Sequence, residues 1–179
     1  MSKQTTSTEE IAKALVGVRT ESGANLLTLV EASPVLLVFL RHFGCTFCRQ
    51  TISQVSELYA NFANRGVRVV FVHLGTPEIA KAHFDYYKMS DVERINDPGA
   101  EIYRLTMFGL SRSSPYSHVV NPNVILGWLK GAIFKHGIGK IEGDGEQMPG
   151  IFFLRGPHIV RSFVHRNISD EPDYLSLVA

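Results

Sequence analysis

The chain is poor in the features that mark specialised protein classes. Its 179 residues include only two cysteines, Cys45 and Cys48, and one tryptophan. Two cysteines cannot build the disulfide framework of a small secreted scaffold, so the question becomes what a lone Cys-x-x-Cys is for. Neither sign of charge predominates: 18 basic residues face 17 acidic ones, for a formal net charge of +1. They are spread along the chain, without the basic block that binding to a phosphate backbone needs. Long hydrophobic runs are missing too. The longest purely aliphatic and aromatic stretch, Val35 to Leu40, is far short of the roughly 20 residues that cross a bilayer. Met1 to Glu10 is polar, without the apolar segment of a secretory signal. These absences argue against nucleic-acid and membrane partners, and the expected location is cytoplasmic.

What remains is an ordinary globular composition, 45% hydrophobic and 20% charged. A chain of this length fits one domain that buries roughly two-thirds of the surface its unfolded form exposes. Ser7 to Glu10 reads as a capping box opening a short helix through about Leu15, and Asn25 to Glu31 reads as a turn of helix. Val35 to Leu40, after Pro34, suits a strand buried on both faces. From Phe47 to Asn64, apolar residues at Ile52, Val55, Tyr59 and Phe62 recur near the helical period and Gly66 supplies a stop. Val67 to Leu74 is a second strand, followed by Thr76 as N-cap and Pro77 at the first helical position.

Arg94 to Asp97 is a third, weaker strand. Ala100 to Met107 is expected to be helical after Asp97-Pro98-Gly99. Asn121-Pro122 opens a helix with Ile125, Trp128, Leu129, Ala132 and Ile133 on one face, and Gly137 to Gly145 is a loop. Gly150 to Leu154 and His158 to His165, separated by Arg155-Gly156-Pro157, read as a hairpin. This order implies an α/β class with a thioredoxin-like fold: a central mixed β-sheet flanked by helices, an N-terminal extension, and a helical insertion before the C-terminal β-hairpin. Residues 1–179 are read as one domain with its core at about 30–165 and tails at 1–6 and 170–179.

The motif Cys45-Thr46-Phe47-Cys48 lies between a buried strand and the start of a long helix. There, unpaired amides and the helix dipole favour a thiolate. Arg41, His42 and Arg49 are expected to add positive charge. Cys45, just before the helix, takes the attacking role; Cys48, one turn in, resolves the mixed disulfide. Pro149, after a glycine-rich loop, is expected to be a cis-proline facing the cysteines, leaving the backbone around Met148 and Pro149 free for a substrate chain. The alternative is a trans proline that starts a strand. His42 with the two thiols could also offer soft and borderline donors to Cu(I), whereas zinc would want a fourth ligand; no metal and no cofactor is assigned. His73, ending a buried strand, reads as a satisfied core histidine, and His118 is given no role. Trp128 and its apolar neighbours read as core, on a helix expected to border the cysteine site.

The run Phe39-Leu40-Arg41-His42-Phe43-Gly44-Cys45-Thr46-Phe47-Cys48-Arg49, with Asn96-Asp97-Pro98 ahead of a helix and Gly143-Asp144-Gly145-Glu146-Gln147-Met148-Pro149-Gly150 ahead of Ile151-Phe152-Phe153-Leu154, resembles the peroxiredoxin-like branch of the AhpC/TSA (alkyl hydroperoxide reductase/thiol-specific antioxidant) superfamily. The resemblance covers roughly residues 30 to 165. It implies a thioredoxin fold and an antioxidant redox role, with protein or small-molecule thiols and disulfides, or hydroperoxides, as partners. The peroxidatic pattern Pro-x-x-x-Thr-x-x-Cys does not carry over. It would place Pro and Thr at Arg41 and Cys45 if Cys48 reacted, or at Val38 and His42 if Cys45 did. The resemblance therefore implies thiol–disulfide exchange first and weak thiol peroxidase activity as the alternative.

Overall fold

The computed structural model describes residues 8–112 and 145–179. The elements run α1 (Thr8–Val16), α2 (Leu26–Ala32), β1 (Val35–Phe39), α3 (Thr46–Glu57), α4 (Tyr59–Asn64), β2 (Arg68–His73), α5 (Pro77–Tyr86), β3 (Glu93–Asn96), β4 (Gly150–Leu154), β5 (Ile159–Val164) and α6 (Tyr174–Leu177). The five strands form one sheet in the order β3-β2-β1-β4-β5. β1 pairs parallel with β2 and antiparallel with β4, β2 pairs parallel with β3, and β4 pairs antiparallel with β5. This is the mixed sheet expected from the order of elements, and the α/β class holds.

Every residue of β1 is buried, as a continuous apolar run requires when both sheet faces are covered. Successive side chains point to opposite faces. Leu36, Val38 and Leu40 join the cluster that contains both cysteines, while Val35, Leu37 and Phe39 join the cluster beneath α1 and α2. The central strand thus delivers the chain to the cysteine loop from between two cores.

Local signals explain several elements. Asn25 caps α2 by accepting the Thr28 amide, so the turn of helix expected there is present. Thr76 caps α5 with Pro77 in the first turn. Gly156 turns with φ of 55° between β4 and β5, where the hairpin was expected.

Three expectations are corrected. The helix over 47–64 breaks at Leu58 (φ −97°, ψ 1°) into α3 and α4; the Asn61 amide bonds to the Leu58 carbonyl in a tight turn that redirects the chain and buries Phe62. Residues 100–107 form successive turns rather than a helix. The Asp97 carboxylate accepts the amides of Glu101, Ile102 and Tyr103 at 2.9, 2.8 and 3.4 Å, and Ala100 adopts a positive φ of 53°, so the side chain takes over amides that a following helix would leave unpaired. Residues 170–179 are no loose tail: α6 buries Tyr174 and Leu177, Val178 is buried beside them, and Arg161 bonds the Ser176 and Ala179 carbonyls at 2.6 Å each. The capping Ser7, the tail at 1–6, the helix carrying Trp128, His118 and most of the glycine-rich loop lie outside the described residues.

Candidate active site

β1 ends at Phe39, and residues 40–45 carry the chain to α3. Cys45 is the N-cap of α3 in extended conformation, with no side-chain cap bond. Its amide donates to the His42 carbonyl at 3.1 Å, closing the loop, and its carbonyl accepts the Arg49 amide at 3.2 Å, opening the helix. Phe43 anchors the loop. Its ring stacks on His83 at 4.8 Å and tilts against His73 at 5.3 Å, and its carbonyl accepts Arg49 Nε at 2.6 Å. Gly75 is required under that ring, because a Cβ there would stand 2.8 Å from Phe43 Cδ2. His73 is fully buried between the Gly75 carbonyl and the Glu21 carboxylate, a core histidine as expected.

Both cysteines are free thiols and both are buried, Cys45 at 8% exposure and Cys48 at 3%. Their electrostatics diverge. Cys45 is lowered from 9.0 to about 6, first because the Cys48 thiol donates a hydrogen bond to it, against the opposing effect of burial; the backbone amide of Cys48, the Arg41 charge and the backbone amide of Phe47 add to the lowering. Cys48 is raised well above 9.0, first by burial and then by its neighbour Cys45. The Arg41 amide donates to Cys48 Sγ at 3.2 Å, too little to offset that burial. Cys45 is thus the sulfur that ionises at neutral pH, and Cys48 the one that keeps its proton.

The flanking residues act differently from the expectation of three positive charges. His42 is lowered to about 4, by burial first and then by Arg41 and Arg49, so at neutral pH it is an uncharged imidazole and contributes no cation. Among the described residues no three His, Cys, Asp or Glu side chains gather as a metal cluster, so His42 does not converge with the thiols as a third ligand. Arg41 is 5% exposed; its Nη2 donates to the Gly145 carbonyl, and its Nε has no partner among the described residues. Arg49 serves the Phe43 carbonyl.

Met148 and Pro149 lie where expected but are built otherwise. Met148 is buried in the same cluster as both cysteines. No peptide bond among the described residues is cis, so Pro149 is trans and leads directly into β4. The neighbouring backbone is already used: Arg112 bridges Gln147 as an antiparallel pair, the Met148 amide donates to the Ser111 carbonyl at 3.0 Å, and Gln147 Nε2 reaches the Ser111 and Met148 carbonyls at 3.2 and 3.4 Å. The extended path from that bridge into β4 accounts for a trans proline that starts a strand. Gly150 admits the crossing segment, since a Cβ there would meet Leu110 Cδ2 at 2.5 Å.

The unpaired helix-start amides expected to favour a thiolate are those of Phe47 and Cys48, directed at Cys45, whereas sequence reasoning missed the tyrosines near Cys48. Tyr103 sits fully buried with its hydroxyl donating to the Leu40 and Val72 carbonyls, and Tyr174 approaches from α6. The amides follow from the N-cap position; the tyrosines carry no local signal.

The sequence profile of the AhpC/TSA family matches residues 12–128. No curated protein matches the chain. Among solved structures, peroxiredoxin 6 of Arenicola marina superposes with a TM-score of 0.61 at 12% identity, covering 90% of this chain and 66% of its own. Peroxiredoxin Q of Xanthomonas campestris gives 0.60 at 10% identity, covering 88% and 85%. Peroxidoxin BcpB of Mycobacterium tuberculosis gives 0.57 at 12% identity, covering 85% and 82%. At such identities the likeness is one of fold.

Proposed function

The chain belongs to the AhpC/TSA family and is an oxidoreductase acting on thiols or peroxides; from that premise we propose that its working chemistry is a dithiol–disulfide cycle at Cys45 and Cys48. The observation that carries the reading is the opposed perturbation of the two sulfurs, one lowered to about 6 and the other raised. A nucleophile that is ionised at neutral pH and a resolving thiol that keeps its proton divide the two steps of exchange between them.

In the first step the Cys45 thiolate attacks a substrate disulfide. The substrate S–S bond breaks, one half leaves as a thiolate that takes up a proton, and a mixed disulfide joins Cys45 to the other half. In the second step Cys48 gives up its proton and attacks Cys45 Sγ, the mixed disulfide breaks, and the second substrate thiol departs. One substrate disulfide is reduced to two thiols and the protein pair is oxidised; run backward, the same steps oxidise two thiols. Cys48 stands three residues along α3 from Cys45, so the resolving step is intramolecular and gains a large effective concentration.

The buried Arg41 charge beside Cys45 favours, as a second reading, attack of that thiolate on a hydroperoxide, giving a sulfenate and an alcohol or water. Against it stands His42 where the peroxidatic pattern has Thr. A redox titration in graded dithiothreitol or glutathione buffers, with free thiols trapped and counted by mass, tests the cycle. A single two-electron transition linking Cys45 to Cys48 is expected, together with hydroperoxide oxidation no faster than that of a free thiol. No disulfide at any poise would overturn the cycle, and rapid oxidation by hydroperoxide would put the peroxidase first.

A further inference from the structure

Arg41 carries a charge that no carboxylate among the described residues balances. Its side chain is 5% exposed, it has no ion pair among the described residues, and of its polar atoms Nη2 reaches the Gly145 carbonyl while Nε is buried without a partner. A guanidinium does not deprotonate in proteins, and a buried cation without a counter-ion is costly. The arginine lies at the mouth of α3, whose N-cap Cys45 contributes no side-chain acceptor to the first-turn amides. Next to it, His42 is 6% exposed, with Nδ1 also unpartnered among the described residues. In the dithiol state the Cys45 thiolate supplies negative charge to this place. When Cys45 enters a disulfide that charge disappears, and Arg41 is left with no anion nearby among the described residues.

We propose that Arg41 is a binding group for the anionic part of the substrate, and that the substrates are low-molecular-weight thiols and disulfides bearing a carboxylate near the sulfur. The inference rests on the dithiol–disulfide cycle proposed above and names its substrate class. Small size follows from burial, because a group that reaches both Cys45 and Arg41 has to enter a site where each is over nine-tenths covered. The sign follows from Arg41, whose field acts on the substrate most strongly at the mixed-disulfide stage, when the thiolate is gone. In the reductive direction an anionic thiolate attacks Cys45 Sγ, the Cys45–Cys48 bond breaks, Cys48 leaves and takes up a proton, and a second substrate thiolate releases the first as its disulfide. Two thiols are oxidised and the protein pair is reduced.

The test separates recognition of substrate charge from stabilisation of the thiolate. Iodoacetate and iodoacetamide alkylate the same Cys45 thiolate with loss of iodide and differ in charge, so the ratio of their rates cancels the thiolate fraction. Relative to the same ratio for a free thiol, the protein is expected to favour iodoacetate roughly tenfold, the effect of one charge several ångströms away at an intermediate dielectric. Arg41→Gln should bring the ratio to that of the free thiol and Arg41→Lys should keep most of it. A ratio equal to that of the free thiol in the wild type, or one unchanged in Arg41→Gln, overturns the proposal. Wild-type protein alone gives a second readout: exchange rates with carboxylate-bearing, neutral and ammonium-bearing disulfides should fall in that order, and equal rates across the series refute the subsite while leaving the exchange cycle intact. If none of the three disulfides exchanges although alkylation favours iodoacetate, the cycle fails, and with it the substrate class, while the anion preference at Arg41 stands.

Discussion

The ionisation of Cys45 depends more on Cys48 than on any basic residue, and a pair of substitutions exposes that dependence. The largest cause of the lowered Cys45 is the hydrogen bond from the Cys48 thiol, ahead of the Arg41 charge. A hydrogen bond to a charged acceptor contributes about 1.5–3 kcal/mol, equivalent to roughly one to two units. Cys48→Ala removes the donor and should move Cys45 ionisation upward by about that amount, whereas Cys48→Ser keeps a hydroxyl donor and should move it much less. Thiolate absorbance near 240 nm against pH is the assay: the wild type should show one step near pH 6, absent in Cys45→Ser. Between 9.0 and about 6, the thiolate fraction at pH 7 rises from about 1% to about 90%, but the lower intrinsic nucleophilicity of the more acidic thiol leaves a net gain of only roughly fourfold in attack rate. Alkylation by iodoacetamide at pH 7 should show that small factor. A step near pH 6 that survives in Cys48→Ala would refute the assignment of the hydrogen bond as the main cause.

Three further substitutions test the scaffold. Gly75→Ala forces a methyl against the Phe43 ring, 2.8 Å from its nearest atom, and should displace the cysteine loop, lowering both the melting temperature and the rate of disulfide exchange. Asp97→Ala strips the acceptor from three amides and should cost about 2–3 kcal/mol in denaturant unfolding, with a smaller effect on thiol reactivity because Asp97 does not touch the sulfurs. Tyr103→Phe leaves the Leu40 and Val72 carbonyls without that donor and should cost about 1–2 kcal/mol, measured by the same unfolding, with the alkylation rate of Cys45 unchanged.

Patterns of short range were legible in the sequence. The apolar run at 35–40, the Thr76-Pro77 entry to α5 and the Arg155-Gly156-Pro157 turn each encode their element locally, and the succession of elements they give matches the mixed sheet observed. The same holds for the cysteine pair, because a strand-to-helix junction places Cys45 at a helix N-cap whatever surrounds it. What could not be read depends on partners distant in sequence or on side chains that displace backbone bonding. The Asp97 carboxylate competes with a helix that apolar spacing alone would suggest. The segment 170–179 looks like a tail because what holds it is distant in sequence: Tyr174, Leu177 and Val178 are buried in the core that contains α3, and Arg161 of β5 bonds the Ser176 and Ala179 carbonyls. His42 looks like a cation until burial between two arginines makes it neutral. The backbone near Pro149 looks free until Ser111 and Arg112 are seen to pair with it.

The divergence of the two thiols also constrains the direction of electron flow. Reduction of the disulfide takes up two protons per two electrons while both thiols are protonated, so below Cys45 ionisation the potential falls by about 59 mV per pH unit. Above about pH 6 the reduced protein keeps Cys45 as a thiolate and only Cys48 binds a proton, so the slope should halve to about 30 mV per unit. Ionisation adds a stabilised form to the reduced state alone, and a stabilised reduced state makes the pair more oxidising. With Cys45 at about 6, the reduced state gains a factor of about 11 at pH 7, or roughly 30 mV, over a pair with unperturbed thiols, and roughly twice that at pH 8. Because Cys48 is raised, it does not ionise alongside its neighbour and the halved slope should extend well above pH 8. The potential measured from pH 5 to pH 9 in equilibrated redox buffers tests both points at once. A slope that stays at about 59 mV per unit through pH 8 would mean that Cys45 keeps its proton there, which would remove the electrostatic basis of the attacking role assigned to it.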